Sequence, residues 1–254
     1  MYYCCGITEK GVMPHNEDAM LIGRAVIDKG SSEQRLSGPF IAAVSDGVSG
    51  EAAGEVASKM CLEQVRTIED FQRNKLKTGL LEIHHRLAEY SQKHKDSTNM
   101  QTTLCGIAVS EEGEVVSFNV GDSRLYRYRG GRIRQISRDQ SLVQLLYEEG
   151  SITQEERRTH VHRNIIFPAF GNVKTDPKID VEIISGGMEY GDILLLCSDG
   201  LSDYVSSIDM QEVLEMPKSL PKRLSLLVKR ALDHGGQDNI TVIAVIYQGE
   251  DPEE

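Results

Sequence analysis

Four times in this chain an apolar run begins or ends at an aspartate flanked by small residues. Phe40-Ile41-Ala42-Ala43-Val44 leads to Asp46-Gly47, Val115–Val120 leads to Gly121-Asp122-Ser123, residues 193–196 lead to Asp199-Gly200, and Asp238-Asn239 opens Ile240–Tyr247. An ionised carboxylate at the edge of an apolar strand is costly unless it is paired or holds a cation. A single Asp-Gly usually marks a turn, but four in parallel contexts point to one shared cation site. Aspartate oxygens and the exposed carbonyls of glycine turns are hard ligands, which suit Mg²⁺ or Mn²⁺ better than zinc or copper.

Read in order, Asn16-Glu17-Asp18-Ala19, the stretch from Val44-Ser45-Asp46-Gly47 to Ala53-Gly54, Gln101-Thr102-Thr103, Val120-Gly121-Asp122-Ser123-Arg124, Ser198-Asp199-Gly200-Leu201-Ser202-Asp203 and Gln237-Asp238-Asn239-Ile240-Thr241 resemble the ordered motifs of the metal-dependent type 2C protein phosphatases. The resemblance runs from about Gly6 to about Ile246. Each motif alone is weak; six in order are specific. Gly-Asp-Ser-Arg and Arg-Asn-x-Ile segments bring the chain nearest to the compact bacterial members.

The resemblance implies a serine/threonine phosphoprotein phosphatase working through a water activated at a binuclear, or trinuclear, Mg²⁺/Mn²⁺ centre. A phosphate monoester resists attack until its oxygens are neutralised and a nucleophile is activated, and paired divalent ions do both. Asp46 is the candidate to span both ions, with the Gly47 carbonyl as a further ligand. Asp199 and Asp238 would complete one ion. Asp18, with Glu17 near it, would hold the water positions of the other. By resemblance, Asp122 with Asp199 forms a third, weaker site; the alternative is a plain turn aspartate. Asn239 either orients a water or is a strand-entry turn residue. Thr102 and Thr103 open a core strand, and the resemblance lets them support the Asp46 loop.

The chain departs from the family pattern in places. Met13 stands where an arginine would pair with substrate phosphate, Val48 replaces a histidine found in some relatives, and Asp139-Gln140 replaces an Asp-His pair. Two other readings therefore stay open: a phosphatase-fold binding module with weak turnover, and a phosphohydrolase of small phosphoesters.

The chain of 254 residues carries 28 basic and 39 acidic residues, net charge −11, with no long basic block. Nucleic acid and anionic membrane are unexpected partners. A charged-then-apolar leader and an apolar run near 18 residues are both lacking, so a cytoplasmic protein is expected. The expected partners are phosphoproteins, with an opposing serine/threonine kinase, and the chain is expected to be a monomer. Five cysteines have no Cys-x-x-Cys spacing, so no disulfide is expected. In an alternating first strand one of Cys4 and Cys5 would be exposed. The seven histidines are scattered, with no carboxylate partner at metal-ligand spacing, and most are expected in solvent.

These residues need a scaffold. Apolar or small positions at three- and four-residue intervals predict one helix over 50–71 and another through Leu76, Leu80, Ile83, Leu87 and Tyr90. A meander follows over 103–109, 114–120, 125–129 and 132–136, and turns this short make sequential strands pair antiparallel. Helices are predicted over 141–149 and 153–158, each opened by a capping box (Ser141 with Gln144, Thr153 with Glu156). Strands follow over 179–184 and 193–197, then helices over 207–214 and 221–234, the last ended by Gly235-Gly236. The fold expected is α+β, a four-layer α-β-β-α sandwich of two antiparallel sheets flanked by helices, with a single domain over 1–248 and an acidic tail over 249–254. Residues 141–166 are polar and carry Arg157, Arg158, His160, His162 and Arg163. They resemble the mobile flap beside the metal centre of bacterial relatives, which makes Arg157 and Arg163 candidates to hold substrate in place of a cation at position 13; a plain solvated helix pair is the alternative.

Overall fold

The computed structural model describes residues 1–48 and 53–249. The first turn of the predicted 50–71 helix, the Arg158 side chain and tail residues 250–254 lie outside the described residues.

Among the described residues, twelve strands form two antiparallel six-stranded sheets. The first holds β1 (Tyr2–Glu9), β4 (Gly30–Leu36), β8 (Arg124–Arg129), β9 (Arg132–Gln135), β11 (Ile193–Cys197) and β12 (Ile240–Tyr247), in the order β4-β1-β12-β11-β8-β9. The second holds β2 (Asp18–Ile22), β3 (Ala25–Ile27), β5 (Phe40–Asp46), β6 (Leu104–Val109), β7 (Val115–Val120) and β10 (Asp180–Ile183), in the order β10-β7-β6-β5-β2-β3. Helices α1 (Gly54–Val65) and α2 (Arg73–Lys93) cover the second sheet. Helices α6 (Ser207–Glu215) and α7 (Leu220–Asp233) cover the first. Short helices α3 (Leu142–Glu148), α4 (Gln154–Thr159) and α5 (Asp199–Ser202) lie near one end of the sandwich. Three apolar layers result. One lies between the sheets, where Cys4, Met20, Val44, Leu194 and Val245 meet; the others lie between each sheet and its helices. The expected four-layer sandwich is the observed one.

The sandwich corrects two expectations. Sequential pairing in the meander fails between β7 and β8: β7 pairs with β6 and β10, whereas β8 pairs with β9 and β11. Gly121, at φ +102°, turns the chain from one sheet to the other, a conformation that glycine adopts without a Cβ clash. The loop that carries Asp122 is therefore a crossing between layers and not a hairpin turn. Cys4 and Cys5 are both buried. β1 lies inside a sheet covered on both faces, so alternation directs Cys4 between the sheets and Cys5 toward the helices, and burial pushes each thiol up to about 12.

Smaller differences are local. Ser141 caps α3 through its hydroxyl, but the Gln144 side chain bonds Glu148 and Arg157 instead of closing the box; Thr153 and Glu156 form theirs in full. Gly235 and Gly236 both take positive φ after α7. Strands β2 to β4 and the short helix α5 were not among the expected elements.

Candidate metal centre

Antiparallel pairing brings the aspartates to one end of the sandwich. β5 ends at Asp46, and its antiparallel neighbour β2 begins at Asp18, directly opposite. β11 runs into Asp199, and its antiparallel neighbour β12 starts just after Asp238. The Gly121 crossing adds Asp122 from between the sheets.

The Asp46 turn is held from both sides. The Asp46 N–H donates to Thr103 Oγ1 at 3.1 Å, and its carbonyl accepts from Thr103 N and Thr102 Oγ1, both at 2.8 Å. Gly47 N donates to the Glu17 carbonyl at 3.1 Å, and Val48 N to the Gln101 carbonyl at 3.0 Å. The two threonines thus have the supporting place that the resemblance implied. A Cβ on Gly47 would meet Gly54 O at 2.4 Å, and one on Gly200 would meet Asn239 O at 2.0 Å. The glycines of both Asp-Gly pairs are needed where backbones touch, Gly47 against the start of α1 and Gly200 where α5 crosses the head of β12. The second contact sets Asp199 beside Asp238.

Ser198, to which no role was assigned from sequence, links two aspartate segments. Its hydroxyl donates to Asp18 Oδ2 at 2.8 Å and accepts from Thr241 N at 3.0 Å. A small hydroxyl before an Asp-Gly is too common a pattern to have marked it. Asn239 clasps the loop before β2: its amide donates to the Lys10 and His15 carbonyls at 3.0 and 2.9 Å, and its oxygen accepts from Glu17 N at 2.7 Å.

A cavity of about 90 Å³ is lined by Asp46, Asp122, Asp199 and Asp238 together with Val48, Thr103, Asn164 and Ile166. A neighbouring one of about 300 Å³ shares Asp122 and Asp199 and extends to Asp203, Arg124, Asp139, Arg157 and Arg163. Burial pushes the Asp18 and Asp122 carboxyls up to about 7. Asp46 and Asp199 are raised well above the carboxylate range by burial and then by the surrounding aspartates, and burial also raises Asp238. Without positive charge these groups resist ionising together. Asp18 Oδ1 and Asp199 Oδ1 are buried with no hydrogen-bond partner. Unpartnered buried oxygens in an all-oxygen donor set fit a hard divalent cation. Among the described residues, no three of these carboxylates bring one oxygen each within 4.8 Å of one another.

The two arginines of the 141–166 segment stand in different surroundings. Arg163 Nε lies 3.9 Å from Asp203 Oδ2, its side chain 40% exposed, and its charge lowers the Asp238 carboxyl against the effect of burial. Arg157 is turned inward, 13% exposed: it bonds Gln144, lies 3.9 Å from Asp139 and sits 5.6 Å over the Tyr147 ring. Asp139 in turn accepts three hydrogen bonds from Arg124. Gln140, in the place of the family histidine, accepts from Gly121 N and donates to Asp180, so it braces the Asp122 crossing. Most of the histidines lie in solvent as expected, with His84 the buried exception, but the expectation that none meets a carboxylate partner fails. His84 is 1% exposed on α2, and both it and His85 face Asp176, a carboxylate remote in sequence that loop closure brings to the helix.

Residues 23–234 match the protein phosphatase 2C family model. The chain is 33% identical over 249 residues to a serine/threonine phosphatase, stp, of Listeria monocytogenes, spanning 94% of this chain and 93% of that protein. The crystal structure of serine/threonine phosphatase Stp1 from Staphylococcus aureus superposes with a TM-score of 0.83 at 30% identity, over 98% of this chain and 96% of that one. The catalytic domain of serine/threonine protein phosphatase PstP, solved with two manganese ions, gives 0.78 at 28% identity over 98% and 100%.

Proposed function

As a member of the protein phosphatase 2C family the chain is a serine/threonine protein phosphatase, a hydrolase of phosphoric monoesters, and we propose that its five clustered aspartates hold the divalent ions on which that hydrolysis depends. When bound, such ions activate a water and neutralise the phosphoryl oxygens. Asp46, with the Gly47 carbonyl beside it, would be shared by two of them; Asp199 and Asp238 would complete one, and Asp18 with Glu17 would orient water at the other. Asp122 and Asp199 would hold a third, weaker ion.

Other residues set the geometry. Ser198 fixes the Asp18 carboxyl through its 2.8 Å bond, and Thr102 with Thr103 fixes the turn at Asp46. Arg163, near the cavity and half-exposed, supplies the cation that Met13 does not, and it binds the substrate phosphate or the flanking peptide. Arg157 anchors the 141–166 flap that carries Arg163. The substrates are cytoplasmic phosphoproteins phosphorylated by a serine/threonine kinase, and the chain acts as a monomer. None of its helices is long and apolar enough to cross a membrane among the described residues.

The observation that carries this reading is the pair of buried, unpartnered carboxylate oxygens at the junction of the two sheets. Calorimetric titration of the EDTA-stripped chain with Mn²⁺ tests it. Two tight ions and one weaker are expected, the weaker lost in Asp122→Ala. No binding, or the same stoichiometry in Asp122→Ala, contradicts the assignment.

A further inference from the structure

Away from the aspartates, α2 presents two adjacent histidines to the loop that follows the 141–166 segment. The buried His84 ring accepts the Gly171 N–H on Nδ1 at 3.2 Å and meets Phe170 edge-on, with ring centroids 6.0 Å apart. Its other nitrogen, Nε2, lies 3.4 Å from Asp176 Oδ1, and His85 Nε2 lies 3.1 Å from the same oxygen. The three atoms sit within 4.8 Å of one another beside a cleft of about 280 Å³ that also reaches Glu89, Gln92 and Asn172.

We propose that His84 Nε2, His85 Nε2 and Asp176 form a second metal site, separate from the aspartate centre, that takes one borderline transition-metal ion of the zinc class. The spacing fits: tetrahedral bonds of about 2.0–2.1 Å put neighbouring donors about 3.3 Å apart, between the two observed separations. The donor type fits as well. Two imidazoles and one carboxylate favour zinc, cobalt or nickel over the magnesium and manganese that an all-oxygen site selects, so the two sites sort ions by hardness. Burial, with His85 adding to it and Asp176 opposing, pushes the His84 pKa down. The ring is therefore neutral and retains a lone pair for an ion. With His85 and Asp176 more than half exposed, the ion has an open approach and a free coordination position for water.

Occupancy has a structural consequence. A neutral imidazole carries one proton. While Nδ1 accepts from Gly171, that proton is on Nε2. An ion on Nε2 moves the proton to Nδ1, and the buried Gly171 N–H loses its acceptor. Gly171 follows Phe170, whose backbone exchanges hydrogen bonds with Thr102 at 3.0 and 3.1 Å, and Thr102 Oγ1 holds the Asp46 carbonyl. Binding at the α2 surface thus loosens a chain of contacts that ends at the catalytic turn.

Co²⁺ is the probe, titrated into the chain with its aspartate centre saturated by excess Mg²⁺ and read by visible d–d absorption. The expected result is one Co²⁺ per chain with the intense bands of a four-coordinate ion, lost in His85→Ala and in Asp176→Asn and kept in Asp46→Asn. Both first substitutions are at exposed side chains, and melting curves check that they fold. Zn²⁺ should also speed hydrogen exchange of the Gly171 amide in the unsubstituted chain and not in His85→Ala. Bands unchanged by both substitutions, or lost in Asp46→Asn, overturn the site; binding without a change in Gly171 exchange overturns the tautomer shift.

Discussion

Gly200→Ala puts the positioning argument to a quantitative test, because one methyl group there acts on the spacing of two aspartates without removing a carboxylate. The new Cβ would sit 2.0 Å from the Asn239 carbonyl oxygen and 2.9 Å from its carbon. Both are backbone atoms, so no side-chain rotation relieves the clash. Restoring an ordinary contact of 3.4 Å requires α5 and the head of β12 to part by roughly 1 Å or more. Overpacking of this kind costs about 1–3 kcal/mol, which in a chain this size lowers Tm by about 2–12 °C. The larger effect falls on turnover: a misplacement of about 1 Å at a reacting centre costs on the order of a hundredfold. Parallel kcat and Tm measurements at saturating Mn²⁺ provide the check, with calorimetry for metal affinity. We expect kcat down about a hundredfold with weaker Mn²⁺ binding and most of the fold retained. Turnover and Mn²⁺ affinity equal to those of the unsubstituted chain would refute the claim that the α5–β12 contact sets the Asp199–Asp238 geometry.

Burial raises the Asp18 and Asp122 carboxyls in the folded chain from the ordinary 3.8 to about 7. Their contribution to stability in the metal-free chain is therefore present below 3.8 and lost as pH rises through about 7. Tm in EDTA should fall across that window and the fall should vanish with Mn²⁺; a rising Tm in EDTA contradicts it. Arg163→Ala should raise KM for a phosphopeptide far more than for a small aryl phosphate, and equal effects on the two would show that this arginine does not recognise protein. Arg157→Ala should act through the flap, seen as faster proteolysis within 141–166, because its guanidinium is packed inside; unchanged proteolysis would argue against an anchor. Met13→Arg should lower KM for both substrates, and no change in either would place that residue away from the phosphate.

The legible part of the sequence was the part with a local signal. Apolar runs ending in Asp-Gly gave β5 and β11, and the run opened by Asp238-Asn239 gave β12, each within a residue or two, and the glycines of the first two were informative because backbones touch at Gly47 and Gly200. The four-layer arrangement followed from blocks of strands and amphipathic helices. β4 was hidden because Gly-Ser-Ser-Glu-Gln-Arg-Leu is polar, and it forms through its ladder with β1. The jump between sheets at Gly121 was hidden because a short turn with glycine looks the same whether it closes a hairpin or crosses layers. Cys4 and Cys5 were misjudged because alternation predicts an exposed face only where one face of a sheet is open. His84 and Asp176 are 92 residues apart along the chain, a pairing that no local pattern encodes. Ser198 and the inward turn of Arg157 depend on tertiary contacts for the same reason.

The most direct measurement is phosphate release from a phosphothreonine peptide by the EDTA-stripped chain, followed as Mn²⁺ is restored, with Asp46→Ala, Asp199→Ala and Asp238→Ala in parallel. Turnover should be absent in EDTA, return with Mn²⁺, and stay down by on the order of a hundredfold or more in each substituted chain. Full activity in EDTA, or in Asp199→Ala, would contradict the metal-centred account.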